Sequence, residues 1–461
     1  MTIRPNSLEA RDIAHVLHPY TNSAVHEREG GMVVSRGDGI YVVDTEGNRY
    51  IEGLSGLFCA SLGFSEERLV EAATRQLRKL PFYHTFGGKT NEPSIELAER
   101  LIALAPMPMS KVFFANSGSE INDTAMKLVW YYHNAIGKPE KKKIISRIRA
   151  YHGVTIASAS LTGLPNNHRD FDLPIGRVLH TDCPGFYRYA QPGESEEAFV
   201  DRCIASLEAL IEREGAHTIA AFFAEPLMAT GGCIVPPQGY YRKIQAVLRR
   251  HDILFVADEV ICGFGRLGTM FGCESFGIVP DMISMAKQLS AGYQPISALM
   301  INEKIYRALV AESEKIGTFS HGFTYGGHPV AAAVALETLE IYEERNIVGH
   351  VRTIAPAFQT AVRAFADHPL VGEARGMGLI GTLELVADKA TREPFEPGWG
   401  VAMHAGRRAQ AHGVITRALG DTVNVCPPLI ITVAQIEDLM GRIRLALDET
   451  WTWLQQGREA A

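Results

Sequence analysis

Short apolar runs recur along the chain, and each of them ends in small or polar residues. Five such runs stand between stretches of helical pattern, at residues 111–115, 143–148, 218–224, 253–257 and 282–286. Strands that are apolar throughout are covered on both faces, as in a parallel α/β sheet. The runs therefore predict an α/β fold, in which ligands bind at the carboxyl ends of the strands.

The two ends of the chain follow other patterns. Residues 39–50 predict a hairpin, and residues 329–345 predict a long helix that we take to connect two lobes. A capping box at Thr432 and Gln435 precedes a final amphipathic helix. We expect three units: an N-terminal segment that joins the small domain (1–60), a large domain (61–328) and a C-terminal small domain (329–461).

The composition argues against several classes of function. Lys and Arg number 45 and Asp and Glu 52, so a net charge of −7 favours neither nucleic acid nor an anionic membrane as a partner. The seven cysteines form no C-x-x-C pair, and we expect neither a disulfide framework nor a metal. The first ten residues lack the apolar core of a signal peptide, and no stretch reaches about 18 apolar residues. We expect a cytoplasmic protein.

Three polar features follow the apolar runs. Ser117, Gly118 and Ser119 stand between a predicted strand and a helical pattern, where a helix N-terminus can bind a phosphate or Ser117 can be an ordinary N-cap. Asp258 follows the fourth run, and Lys287 follows the fifth, with room between them for one crossover to a neighbouring strand. A lysine forms a Schiff base with an aldehyde cofactor, and an aspartate holds a pyridine nitrogen protonated. The pair is more specific than either residue alone.

Two further strand ends carry candidate residues. Tyr151 and His152 follow the second run, and Glu225 follows the third. An aromatic ring can stack on a flat cofactor, and an acid can orient a group beside it. Taken singly, each of these residues also fits a structural role.

A competing motif lies between Gly263 and Gly268, where GFGRLG matches the dinucleotide fingerprint G-x-G-x-x-G. It would make the protein a nucleotide-binding oxidoreductase. That fingerprint opens directly into a helix and is followed about 20 residues later by an acid. Here no helical pattern follows directly, and Lys287 lies near that distance. We therefore disfavour this alternative.

Together these motifs resemble the class III aminotransferases, pyridoxal 5′-phosphate enzymes of fold type I, and particularly the ω-transaminases that act on amines. The resemblance covers almost the whole chain and is most specific from Asp258 to Arg266, followed by Lys287. It implies a large domain with a mostly parallel sheet between helices, a smaller α+β domain, and a homodimer, or a tetramer, with shared active sites. In this family the glycine-rich segment is an active-site loop.

The resemblance also implies roles on the cofactor side. Lys287 would form the Schiff base and move the substrate proton, Asp258 would contact the ring nitrogen, and Tyr151 would stack on the ring. Thr324 would be supplied by the partner subunit. The catalytic residues expected are Lys287 and Asp258, and the cofactor-binding residues expected are Ser117, Gly118, Ser119, Tyr151, His152, Glu225, Asp258, Val260, Lys287, Phe323 and Thr324.

On the substrate side, Arg417 matches the arginine that clamps a substrate carboxylate through two hydrogen bonds and swings away for uncharged amines. The implied ping-pong reaction moves an amino group from a hydrophobic primary amine, with (S) preference, to a keto acid such as pyruvate. Alternatives within the superfamily are a diamine, β-alanine or ω-amino acid aminotransferase, an aminomutase or a decarboxylating enzyme. The substrate-binding residues expected are Tyr20, Leu57, Phe58, Phe86 (from the partner), Tyr151, Thr230, Ile261 and Arg417.

Two residues depart from the family pattern. Phe58 stands where Trp or Tyr is usual, and Ile121 stands where Ala is usual, whereas Phe86 is ordinary. A smaller ring at position 58 enlarges the pocket, and Ile121 adds bulk near the start of the predicted phosphate-binding helix. We interpret both changes as a shift toward bulkier hydrophobic amines, with harmless family variation as the alternative.

Overall fold

A computed structural model describes residues 3–459 of the chain. Residues 1–2 and 460–461, the outer ends of the first and last predicted units, lie outside the described residues. The strands are β1 Val34–Asp38, β2 Tyr41–Asp44, β3 Arg49–Glu52, β4 Lys111–Ala115, β5 Lys143–Arg147, β6 Val178–Thr181, β7 Ile219–Ala224, β8 Leu254–Asp258, β9 Met282–Met285, β10 Ser297–Ile301, β11 Val371–Met377, β12 Ile380–Leu385, β13 Val414–Ile415, β14 Arg417–Leu419 and β15 Thr422–Val425.

The α-helices alternate with these strands. They are α1 Leu8–His15, α2 Ser23–Glu29, α3 Ser55–Phe58, α4 Glu67–Lys79, α5 Glu92–Leu104, α6 Gly118–Ala135, α7 Ile156–Leu161, α8 Phe186–Tyr189, α9 Glu196–Glu214, α10 Tyr240–Arg250, α11 Gly272–Phe276, α12 Glu303–Ile316, α13 Pro329–Glu344, α14 Ile347–Arg363, α15 Val401–Ala411 and α16 Val433–Glu459. Short 3₁₀ turns cover Phe86–Gly88, Pro165–Asn167, Ala216–Thr218, Lys287–Ser290, Ala364–Asp367 and Pro397–Trp399.

The central sheet has seven strands in the order β4-β10-β9-β8-β7-β5-β6. The pairs β6-β5, β5-β7, β7-β8 and β8-β9 are parallel, whereas β10 is antiparallel to both of its neighbours. All five predicted runs form strands of this sheet, so the predicted α/β class with a mostly parallel sheet is confirmed. Because β10 alone is reversed, the carboxyl ends of the other six strands share one edge.

Helices cover both faces of the central sheet. Helix α6 packs Ile121, Ala125 and Leu128 against Phe223 of β7 and Val256 of β8. On the opposite face, α9 and α10 join Phe222 and Phe255 in the largest hydrophobic cluster. Burial on both faces explains why β7 is apolar throughout and why most positions of β8 and β9 are apolar.

Two smaller sheets accompany the central one. The predicted hairpin forms from β2 and β3, and β13 from the last third of the chain pairs in parallel with β3. The strands β11, β12, β15 and β14 form a separate sheet. The predicted capping box is present, since Thr432 and Gln435 each accept the other's backbone N–H through the side chain. One sheet therefore holds segments from both ends of the chain.

The described part of the chain contains no helix that is long and apolar enough to cross a membrane.

Candidate active site

Polar segments from five strands meet at the carboxyl edge of the central sheet. Ser117 to Ser119 follow β4, and Tyr151 to Gly153 follow β5. Glu225 directly follows β7, Asp258 ends β8, and Lys287 stands two residues after β9. The predicted crossover from Asp258 to Lys287 therefore connects two paired strands, and it brings a carboxylate and an amine to the same edge.

Asp258 is buried and is held by three donors. Its Oδ2 accepts hydrogen bonds from Nδ1–H of His152 and from the amide of Asn122, both at 2.8 Å, and its Oδ1 accepts the backbone N–H of Val260 at 3.0 Å. Asn122 is itself fixed, because Ser284 donates to its carbonyl oxygen at 2.8 Å. The network therefore holds the carboxylate in a fixed orientation at the end of β8.

Lys287 is half-buried and its backbone is left-handed, with φ of 48°. Its Nζ lies 5.6 Å from the centre of the Phe58 ring. Burial lowers the pKa of Lys287 below its ordinary value, because the ammonium form loses solvation. A neutral amine is the nucleophilic form of lysine.

The start of α6 provides the third corner of the site. Ser119 accepts the backbone N–H of Val154 through its hydroxyl at 3.1 Å. A Cβ at Gly118 would lie 3.1 Å from Val260, and a Cβ at Gly153 would lie 2.6 Å from the Ser119 hydroxyl. The glycines therefore keep room beside the positive end of an 18-residue helix, where an anion is stabilised.

Ser117 caps helix α6, whereas Gly118 and Ser119 line the cavity. It is exposed, and its side chain accepts the backbone N–H of Glu120 at 3.2 Å, which makes it the N-cap of α6. This is the ordinary alternative that the sequence left open. A role in binding the cofactor stays a prediction for Ser117.

Glu225 and Tyr151 lie against each other at the next two strand ends. One carboxylate oxygen of Glu225 accepts the backbone N–H of Tyr151 at 3.1 Å. Burial raises the pKa of Glu225 to about 7. This carboxyl group therefore changes its charge near neutral pH.

All these groups surround one cavity. Its lining contains most of the predicted cofactor residues together with Asn122 and Cys262, which sequence reasoning missed. Asn122 follows Ser119 by three positions in the same helix, and that spacing is the signal that would have placed it on the same face. The lining residues are Gly118, Ser119, Asn122, Tyr151, His152, Gly153, Glu225, Asp258, Val260, Ile261, Cys262 and Lys287.

Several predicted residues lie outside this lining. Phe323 packs on His321 with ring centres 5.3 Å apart, and Thr324 is exposed. Phe86 covers Gly322 of its own chain, and a Cβ at Gly322 would lie 2.9 Å from its ring. Leu57 is exposed and Thr230 is buried. The expected functions of these residues stay predictions.

Tyr20 and Arg417 form a second aromatic and cationic group. The guanidinium of Arg417, at the start of β14, lies 5.6 Å from the centre of the Tyr20 ring. The Tyr20 hydroxyl accepts a hydrogen bond from the amide of Asn167 at 2.6 Å. Within residues 3–459, Arg417 forms no ion pair with a carboxylate. Its charge is therefore available to an anion.

The two departures from the family pattern have different surroundings. Phe58 is buried in a cluster with Ile261 and Cys262 of the cavity wall. Ile121 points instead into the core beneath the sheet and is not among the lining residues. Ile121 therefore adds its bulk near the start of α6, on the side that faces the sheet, and its effect on substrate choice stays a prediction.

The glycine-rich segment does not form a nucleotide loop. No helix opens directly after Gly268; the next one is the five-residue α11. Arg266 is buried and donates to the backbone carbonyls of Leu379 and Pro427 at 3.1 and 2.6 Å. The segment thus attaches the central sheet to the C-terminal part of the chain.

The comparisons with known proteins agree with this geometry. The family model described as aminotransferase class-III matches residues 22–447. Gamma aminobutyrate transaminase 3, chloroplastic, from Solanum lycopersicum is 50% identical over 451 residues, covering 96% of this chain and 87% of that protein. Vanillin aminotransferase from Capsicum frutescens is 50% identical over 436 residues, covering 94% of this chain and 95% of that protein. The structure of the omega transaminase from Pseudomonas jessenii in complex with PMP has a TM-score of 0.96 at 53% identity, covering 98% of this chain and 100% of that chain.

Proposed function

Because the chain belongs to the class III aminotransferases, we propose that it moves the amino group of a hydrophobic primary amine to a keto acid such as pyruvate. The observation that carries this proposal is the pair of Arg417 and Tyr20. The guanidinium can clamp the carboxylate of a keto acid through two hydrogen bonds. The aromatic ring beside it favours an apolar amine in the other half-reaction.

The cofactor of the family is pyridoxal 5′-phosphate, and the cavity fits it. Lys287 offers an amine for its aldehyde, Asp258 offers a fixed carboxylate for its ring nitrogen, and Ser119 with the start of α6 offers donors for its phosphate. When bound, the cofactor supplies an electron sink that stabilises charge at the substrate carbon.

Asp258 would hold the ring nitrogen and keep it protonated. The donors His152 and Asn122 fix its carboxylate in one orientation. A protonated ring withdraws electrons more strongly than a neutral one, which would lower the barrier to removing the substrate proton.

Lys287 acts as the base that takes the substrate proton and returns it. Its burial keeps a larger fraction of the amine neutral at a given pH. Phe58 covers the region beside its Nζ and excludes water from it. Tyr151 would stack on the cofactor ring, and Glu225 would orient the group beside the ring.

We also propose a homodimer, or a tetramer built from such dimers. Phe86 and Thr324 are expected to complete the partner's site, and both are exposed in one protomer. The seven cysteines are all free, which supports a reducing compartment such as the cytoplasm.

A second candidate is an ω-amino acid donor of the kind named by the gamma aminobutyrate transaminases. The observation that favours it is the same unpaired guanidinium, since Arg417 can hold the carboxylate of a donor as well as that of an acceptor.

Absorbance of the bound cofactor decides between these substrates. We expect an (S)-aryl amine to convert the spectrum of the purified holoenzyme to that of the aminated cofactor, and pyruvate to restore it. The (R)-enantiomer of the same amine and gamma-aminobutyrate are tested as alternative amino donors under the same conditions. A response to gamma-aminobutyrate alone contradicts the amine assignment, and faster conversion by the (R)-amine contradicts the expected stereochemistry.

A further inference from the structure

Three side chains outside the cavity converge near the N-terminus. Asp12 lies in α1, His18 in the loop that follows it, and His26 in α2. Nε2 of His18 lies 2.8 and 3.0 Å from the two carboxylate oxygens of Asp12, and Nε2 of His26 lies 3.2 Å from Oδ2. The three ligating atoms lie within 4.8 Å of one another. The expectation of no metal rested on the cysteines and did not consider these three residues.

His26 distinguishes this cluster from a simple hydrogen-bonded contact. Its side chain is only 10% exposed, yet within the described residues its Nε2 has no hydrogen-bond partner. The nitrogen is close to Asp12 but is not aligned for a hydrogen bond. A buried, unpartnered imidazole nitrogen is unfavourable unless some group satisfies it.

We propose that Asp12, His18 and His26 bind a divalent transition-metal ion, specifically Zn²⁺. Two imidazoles and a carboxylate are a zinc donor set, and three protein ligands leave a fourth position for water. The side chain of His18 is 34% exposed, so an ion and a water molecule can reach the cluster. The ion takes the place of the proton between His18 and Asp12 and gives Nε2 of His26 a partner.

The site connects α1, the following loop and α2. Tyr20 follows His18 by two residues in this loop, and its ring lies 5.6 Å from the Arg417 guanidinium. A bound ion therefore holds Tyr20 in place over Arg417 and lowers the KM for an aryl amine. This consequence rests on the proposed substrate role of Tyr20, whereas metal binding itself does not.

Metal content tests the site directly. Untagged holoenzyme is incubated with Zn²⁺, dialysed and analysed by mass spectrometry, and we expect one zinc ion per chain. The affinity is measured by competition with a chromophoric chelator. His26→Ala, Asp12→Asn and His18→Ala should each weaken binding at least about tenfold, since loss of even an outer-shell partner costs about 10–100-fold.

His15→Ala is the matched control, because His15 is an exposed imidazole in the last turn of α1 outside the cluster. It should retain the ion. No zinc in the folded wild-type protein, or equal affinity in the cluster variants, overturns the proposal. Circular dichroism checks folding, and His18→Ala, at the most exposed ligand, is informative even if His26→Ala does not fold.

Steady-state kinetics tests the consequence for Tyr20. A chelator should raise the KM for an aryl amine in the wild-type enzyme and leave the KM of Asp12→Asn unchanged, with little change in kcat. An unchanged wild-type KM after zinc removal contradicts the positioning of Tyr20. If zinc still binds in that case, only the consequence for Tyr20 is contradicted and the metal site is not. If the aryl amine is not a substrate, the proposed function fails, whereas the metal-content measurement still tests the metal site.

Discussion

The cofactor side and the substrate side of the site differ in how completely one chain builds them. Asp258 and Glu225 are 3% and 4% exposed, whereas Tyr20, Leu57 and Phe86 are 63%, 57% and 46% exposed. The first group stands at the ends of buried strands, and the second lies in loops and short turns. The comparison teaches that the residues expected to hold the cofactor ring are fixed by the sheet, whereas part of the predicted substrate side lies in exposed segments.

Replacing Lys287 should have the largest effect. Lys287→Ala removes the base for the substrate proton, and transamination should fall by about 10²–10⁴-fold or more. Cofactor absorbance and initial rates measure this. Because the cofactor side is rigid, Asp258 and its donors should keep the cofactor bound in the variant. Retention of wild-type activity would reject Lys287 as the base.

Glu225→Gln tests the electrostatics of the cofactor side. The pKa of Glu225 is about 7 in the fold, compared with an ordinary value of 4.5. The folded state therefore binds a proton that the unfolded state has released, and apoenzyme stability should fall as pH rises from about 4.5 to about 7. The total loss is about 3 kcal/mol.

Glutamine cannot ionise, so the variant should lose this part of the pH dependence in denaturant titrations. Glu52 is a matched control, because burial raises its pKa to about 7 as well, but it is outside the cavity lining. Added cofactor should change the part of the pH dependence of the free energy of unfolding that is due to Glu225. It should not change the part that is due to Glu52. If added cofactor changed the two parts equally, the pH dependence of Glu225 would not be specific to the cavity.

Arg417→Ala tests the substrate side. Losing a charged hydrogen-bonding partner should weaken a keto acid acceptor by about 10–100-fold in kcat/KM and leave an uncharged aldehyde acceptor little changed. Arg417→Lys keeps the charge without the bidentate geometry and should give an intermediate loss. Equal losses for the acid and the aldehyde would show that Arg417 does not clamp a carboxylate.

Phe58→Trp tests the boundary between the two sides. Phe58 is buried beside Lys287, and a larger ring there should lower the rate with a bulky aryl amine relative to a small one by about 10-fold. Ile121→Val is the control, because Ile121 lies in the core beneath the sheet. It should cost about 0.5–1.5 kcal/mol of stability and leave the ratio unchanged. An unchanged ratio in Phe58→Trp would favour neutral family variation.

The sequence predicted which strand ends meet at the edge of the central sheet better than it predicted the positions of the loops, for the same reason. Asp258 and Lys287 are adjacent because strands of one sheet pair, and strand ends are readable from apolar runs. Asn122 was not predicted as a site residue, because its role depends on contacts with His152 and Asp258 across the sheet edge.

Two strands of the central sheet also escaped prediction. Strand β6 is half-buried, and β10 is the single reversed strand. Tyr20 lies in a loop whose position depends on distant parts of the chain, and no periodicity encodes that position. Local sequence patterns therefore predicted the strand ends at the buried edge of the central sheet. The positions of the reversed strand and of the loop that carries Tyr20 depend on long-range contacts.

Ser117→Ala should have the smallest effect, and it tests whether Ser117 belongs to the cofactor side of the site. The Ser117 hydroxyl accepts the N–H of Glu120, so removing it should cost about 1 kcal/mol in the free energy of unfolding. Ser119→Ala is the matched variant, since Ser119 lines the cavity and should weaken cofactor binding more. Thermal unfolding of the apoenzyme and cofactor titration separate the two effects. A larger loss of cofactor affinity in Ser117→Ala than in Ser119→Ala would extend the cofactor side to the exposed cap, because only direct contact with the phosphate explains that order.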